Sequence, residues 1–281
     1  MIMSPYSNLY LRLQQLLADL SKMGTEKPFI GYGNPDADIV IIGKECAYDL
    51  NNYLDKKDYE KFYKPNFDQW EKSFLGHGFA YSDGVEKGKV YSYENNAFHP
   101  LFPFFWKFNN LITSCSRHTS STYFYYQMLI DKIRAEIEGK KYEKSECITF
   151  FRECFITELN DICMRNHNNT TPNQEETVES HIRARFDWMR KTNFFKQFKV
   201  VVLACGPYAN AIKKDPKLKK ELFGDALIVY CGQLSQWRKR DLEGEPNNPN
   251  KPNMIKEIAG KKPKISSIAE NQRFIDNLPN K

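Results

Sequence analysis

Four clusters of chemically capable residues each stand directly after a short apolar run. Gly43-Lys44-Glu45-Cys46-Ala47 follows Ala37-Asp-Ile-Val-Ile-Ile, and Glu158 with Asn160 follows Cys154-Phe-Ile-Thr. Gly206-Pro207 follows Lys199-Val-Val-Val-Leu-Ala-Cys205, and Cys231-Gly-Gln-Leu-Ser235 follows Ala226-Leu-Ile-Val-Tyr230. Carboxylates at positions 45 and 158 are suited to orienting water, stabilising a nearby positive charge and accepting hydrogen bonds. Asn160 adds an amide and Tyr230 a phenolic donor. Cys46 carries a nucleophilic atom, but no His is placed in sequence order to activate it, so it reads as a pocket-wall or core thiol. Each residue also has a plainer reading. Glu45 can be an exposed loop acid or a partner for Lys44, Glu158 a structural acid at a strand end, and Tyr230 an inward-packed strand residue. His77 and His99 can be site residues or loop histidines.

The elements that position these residues are legible in outline. A continuous apolar run over 38–42 reads as a strand buried on both faces of a parallel sheet, and Gly43 is expected to let the backbone turn sharply where it ends. Further strands are expected at Cys154–Glu158, Lys199–Cys205 and Ala226–Tyr230. Helices are expected over 7–23, where Leu9, Leu13, Leu16, Leu17 and Leu20 recur at helical spacing, over 123–137, over 176–192 with Ile182, Phe186 and Met189, and over 265–277. Short apolar strands separated by helical stretches argue for parallel pairing with helices on both faces. The expectation is a single domain over 1–281: a three-layer α/β/α sandwich whose central, mostly parallel sheet has about four strands. Residues 50–135 form an aromatic-rich helical and loop insertion, and 241–253, rich in Pro, Asn and Gly, a loose loop. In open α/β sheets ligand sites form beyond the carboxyl ends of the strands, so the four clusters would enclose one cleft.

Bulk properties fit a soluble globular chain, with 41% hydrophobic and 27% charged residues among 281. Aromatics are in excess, 20 Phe, 16 Tyr and 4 Trp, which fill a core or line a binding surface. A net charge of +6, with basic residues gathered between Arg238 and Lys264, is compatible with a polyanionic partner. The 7 cysteines are scattered, and no Cys-x-x-Cys pair supports zinc or an iron–sulfur cluster. They read as reduced core thiols of a cytoplasmic protein. No metal or other cofactor is called for. The N-terminal apolar residues are interrupted by Arg12 and Asp19, unlike a signal peptide, and no run approaches the roughly 20 residues needed to span a bilayer. No membrane association is expected, and the chain is expected to act as a monomer.

The order and spacing of the four clusters resemble the uracil-DNA glycosylase superfamily, over residues 7–47 and 150–240. That family's first motif reads Gly-Gln-Asp-Pro-Tyr, and Gly43-Lys44-Glu45-Cys46-Ala47 places Glu45 at the Asp position, with Lys44 for the neutral amide and no Pro. The resemblance implies that Glu45 orients water and stabilises positive charge on the sugar. It puts Glu158 where the family has the Asn that reads the base edge, with Asn160 as the alternative. An ionised carboxylate only accepts hydrogen bonds, so uracil itself does not follow from the match. In the last motif, His-Pro-Ser-Pro-Leu-Ser, Tyr230 takes the place of the His beside the departing base, and Gln233, Leu234 and Ser235 the DNA-contacting loop. Leu234 is implied to enter the vacated stack, with Trp237 beside it and Arg238 on phosphate. Gly78-Phe-Ala-Tyr-Ser82 matches a Gly-x-Ala-Phe-Ser segment, and implies that Tyr81 stacks on the extruded base.

The expected function is therefore a divergent DNA glycosylase acting on a flipped damaged or modified base, with DNA as partner. Two alternatives stand beside it: a catalytically inactive nucleic-acid-binding protein of the same fold, and a small-molecule hydrolase using the same crevice.

Overall fold

The computed structural model describes residues 7–22, 28–44, 51, 53, 56, 59–68, 70, 121–145, 149–161, 172–234, 242–245, 248 and 252–276. In chain order its elements are α1 (Ser7–Lys22), β1 (Tyr32–Gly33), β2 (Ile39–Gly43), a π-helical turn at Tyr59–Tyr63, α2 (Ser121–Glu138), β3 (Cys154–Glu158), α3 (Pro172–Thr192), β4 (Val200–Leu203), α4 (Asn210–Lys214), α5 (Pro216–Phe223), β5 (Leu227–Tyr230), α6 (Met254–Gly260) and α7 (Ile268–Asp276).

Apolar runs decide the centre of the fold. Ile39, Val40, Ile41 and Ile42 of β2 and all four residues of β4 are fully buried, as continuous Val/Ile runs require when both faces of a sheet are covered. The strand order is β1-β3-β2-β4-β5. The last four strands of that order pair in parallel and β1 pairs with β3 antiparallel. The sheet is thus mixed and five-stranded, which corrects the expectation of a mostly parallel sheet of about four. β1 escaped the sequence pattern because two residues are too few to show an alternation.

Order and connectivity fix where a ligand can enter. The chain leaves β2 toward β3 on one side and leaves β4 toward β5 on the other. The general right-handed rule for parallel crossovers would put α2 on one face and α3, α4 and α5 on the opposite one. Packing agrees, since α3 touches α1 and α5 while α2 touches α6. In open sheets of this kind the place for a ligand is beyond the carboxyl ends of the strands where the connections depart in opposite directions, here β2 and β4. At the other end of β2, Asp38 closes the sheet. Its carbonyl accepts from the Lys199 and Val200 amides, and its carboxylate takes the Lys264 amide and the Lys199 ammonium, each at 2.8 Å.

The segment leading into β1 is anchored by side chains. Asn66 Oδ1 accepts from the amides of Ile30 (2.9 Å) and Gly31 (3.1 Å), while its Nδ2 donates to Gly31 O (2.8 Å). Trp70 Nε1 donates to the same carbonyl at 2.9 Å. Asn66 and Trp70 are fully buried, so these backbone groups have no recourse to water. Asn66→Ala strands the Ile30 and Gly31 amides, while Gly31 O keeps the Trp70 donor, and should lower unfolding free energy by about 2–5 kcal/mol. A urea titration checks this: the midpoint falls while the slope stays unchanged.

Candidate functional site

The candidate site begins where β2 and β3 end together. Gly43 stands opposite Glu158 in the parallel register. The pairing continues past both strands, with Leu159 N–H donating to Gly43 O (3.0 Å) and Asn160 N–H to Lys44 O (2.9 Å). Gly43 does not have the positive φ that a sharp glycine turn uses. Its lack of a side chain serves a different purpose. A Cβ at this position would collide with Glu158 Oε2, and would lie 3.0 Å from Cδ and 3.1 Å from Oε1. The Glu158 carboxylate therefore lies across the end of β2, on ground that only glycine leaves open. Glu158 itself is half-buried and Asn160 fully buried.

A cation, phenols and a second acid gather around that carboxylate. Arg185 of α3 is buried, and donates from Nη1 to Phe29 O (2.6 Å) and from Nη2 to Thr157 Oγ1 (2.5 Å). Its guanidinium sits 4.1 Å over the Trp188 ring. Burial lowers its pKa to about 10, with Asp161, Tyr63 and Glu158 opposing, so it stays cationic at neutral pH. Tyr63 stacks on Phe29 at 4.0 Å and on Tyr59 at 5.5 Å. Burial, then the Glu158 charge, pushes the Tyr63 hydroxyl well above its ordinary value, and Tyr59 is raised by burial and by Asp161. Both remain protonated donors at neutral pH. Asp161 also holds His181 Nδ1 of α3 at 3.0 Å. Tyr59 and Tyr63 bound the π-helical turn, closed by Lys64 N–H to Tyr59 O (2.9 Å); such turns recur at functional sites.

None of Arg185, Tyr59, Tyr63, Asp161 or His181 was singled out as a site residue by sequence reasoning. One signal was there. Arg185 occupies the core-facing position between Ile182 and Met189 on an otherwise apolar helix stripe, where a cation demands partners.

The other wall is made by β4 and β5. Gly206 follows β4 with φ 53°, a conformation that favours glycine, and starts the turn carrying Tyr208. Lys44 Nζ lies 5.0 Å from the centroid of the Tyr208 ring, bridging the carboxyl ends of β2 and β4. Tyr230, opposite Leu203, is half-buried beneath Lys213 at 5.8 Å. Burial raises its pKa, with Cys205 adding to the effect, so Tyr230 can donate a hydrogen bond but does not titrate near neutrality. Cys154, Cys205 and Cys231 are buried free thiols. Gln233 is exposed. Leu234 is buried within the core cluster, at odds with the projecting wedge that the resemblance implied.

Gly43, Lys44, Glu158, Asn160 and Tyr230 are thus placed on one edge of one sheet. Glu45, Cys46, Tyr81, Ser235, Trp237 and Arg238, with His77 and His99, lie outside the described residues. Fold and site together define an α/β protein with polar side chains and tyrosines gathered at the carboxyl ends of its parallel strands. The chain matches no protein-family model, no curated protein and no solved structure. Among the described residues no helix is long and apolar enough to cross a membrane.

The Gly43–Glu158 approach is measurable. Gly43→Ala should cost about 1–3 kcal/mol by overpacking. In a Glu158→Ala background that cost should largely vanish, giving a coupling of about 1 kcal/mol or more in a double-mutant cycle read by urea unfolding. Additive effects would show that the two side-chain positions do not compete for space.

Proposed function

We propose that this chain is a divergent glycosylase with the three-layer α/β/α arrangement of the uracil-DNA glycosylase superfamily, hydrolysing the N-glycosidic bond of a base turned out of DNA. One observation carries the reading. The end of β2, which leads into Glu45, and the end of β3, which carries Glu158, lie side by side, with the Glu158 carboxylate laid over Gly43. The resemblance asks for that juxtaposition of a sugar-side and a base-side residue.

The chemistry follows from the placement. The bond between C1′ and the base nitrogen breaks, and its electron pair leaves with the base. A water oxygen bonds to C1′ and gives up a proton, which ends on the base. Glu45, two residues beyond Gly43, would orient that water and stabilise the oxocarbenium-like transition state. Tyr230 would donate a hydrogen bond to the departing base in place of an imidazole. Lys44 and Lys213, beside Tyr208 and Tyr230, are suited to phosphate contacts that make binding salt-dependent.

A second reading, DNA binding without catalysis, is favoured by Tyr230, whose hydroxyl does not titrate near neutral pH. One experiment separates the readings. The purified chain is incubated with single- and double-stranded oligonucleotides each holding one modified base, and abasic sites are read by alkaline strand scission. The glycosylase reading expects product from at least one substrate, and a loss of about 100-fold or more in rate with Glu45→Gln. Salt-sensitive binding with no product from any substrate would establish the second reading. Neither binding nor product would leave the small-molecule hydrolase.

A further inference from the structure

We propose that His181, oriented by Asp161, is the proton-transferring residue beside the strand ends, its Nε2 taking the proton that the attacking water gives up and passing it to the departing base. The inference rests on the glycosylase reading above, and adds to it a catalytic pair that the resemblance did not imply.

The pair is made by two segments that run past each other. Arg185 of α3 donates from Nη2 to Thr157 Oγ1 of β3. Four residues earlier on the helix, His181 Nδ1 lies 3.0 Å from Oδ1 of Asp161, which stands four residues beyond Thr157. Helix and strand are thus antiparallel here, and the contact that seats Arg185 in the core also sets His181 against Asp161. Asp161 follows Asn160, whose amide donates to Lys44 O, and Lys44 leads in the chain to Glu45. The pair therefore belongs to the strand end that leads into the acid assigned to the water. The Asp161 charge is also felt by Tyr59, Tyr63 and Arg185, the other polar groups gathered there.

The chemistry follows from which nitrogen is engaged. A carboxylate only accepts hydrogen bonds, so the hydrogen between the two side chains belongs to Nδ1. In the neutral ring Nε2 then carries the lone pair, on the side turned away from Asp161. Among the described residues Asp161 is the only partner of the His181 ring. The His181 side chain is 44% exposed, so it can meet DNA lying on the protein surface without an enclosing pocket. As the bond from C1′ to the base nitrogen breaks, its electron pair leaves with the base. The water oxygen bonds to C1′, its proton moves to Nε2, and Asp161 stabilises the imidazolium so formed. That proton then passes to the base, and the ring returns to its neutral form. Tyr230, whose raised pKa keeps the proton on its hydroxyl, can donate a hydrogen bond but is not a proton carrier near neutrality.

The test is the strand-scission assay with the full chain, run on wild type, His181→Ala and Asp161→Asn, with far-ultraviolet circular dichroism to confirm that each variant is folded. His181→Ala is expected to lose about 100-fold or more in rate, and added imidazole to restore part of it. Asp161→Asn keeps size but offers Nδ1 a donor, which places the ring hydrogen on Nε2; a comparable loss is expected, without rescue by imidazole because the ring is still present. An undiminished rate in either variant, or a slowed His181→Ala that does not respond to imidazole, overturns the inference and leaves the glycosylase reading standing. No product from any oligonucleotide with the wild-type chain overturns that reading, and this inference with it.

Discussion

The register of β2 governs the rest of the molecule. This strand pairs residue for residue with β3 on one side and with β4 on the other, and its apolar side chains are inaccessible to solvent. A shift of one residue would turn every one of those side chains to the opposite face. It would also separate Gly43 from Glu158, and the carboxylate would meet a side chain where it now finds open space. One alignment therefore serves both the core and the crevice.

Around this centre, segments outside the sheet are held by buried polar groups that have specific partners. Asn66 and Trp70 tie the stretch after the π-helical turn to the approach into β1, and Arg185 ties α3 to the same approach and to Thr157. On α2, Asp131 accepts from Gln127, Arg134 and Ser145, while Arg134 donates to Ser266 O and Glu153 accepts from the Ser266 amide. Such groups do little for net stability when compared with apolar packing, but each is costly to leave unmatched, so they specify one arrangement. The first two sets converge on the approach into β1, the second also reaching Thr157 on the strand that carries Glu158, and the third ties the C-terminal segment to α2 and to Glu153 just before β3.

The electrostatics of the crevice follow from this economy. A carboxylate, a guanidinium and two protonated phenols share a region from which water is largely excluded, where interactions between charges and dipoles are strong. Burial is the largest influence on Tyr63, Tyr230 and Arg185, with neighbouring charges second. Tyr63 and Tyr230 thus stay protonated and Arg185 charged at neutral pH.

The sequence by itself determined the parallel strands, the principal helices and the polar residues at each strand end, because continuous Val/Ile runs and the 3.6-residue stripe are local signals of burial. It also located Glu158 and Gly43, though with the wrong reason for the glycine: only the packed sheet shows that what matters at Gly43 is room, since the competitor for that space lies 115 positions away in the chain. β1 was decided by tertiary structure, as two residues carry no periodicity. So were the roles of Arg185, Tyr63 and Asp161, which depend on long-range burial and on which carbonyl or charge stands opposite, neither of which spacing along the chain encodes. Leu234 shows the converse: a local motif match put it on the outside, and the apolar contacts of the folded chain put it in the core.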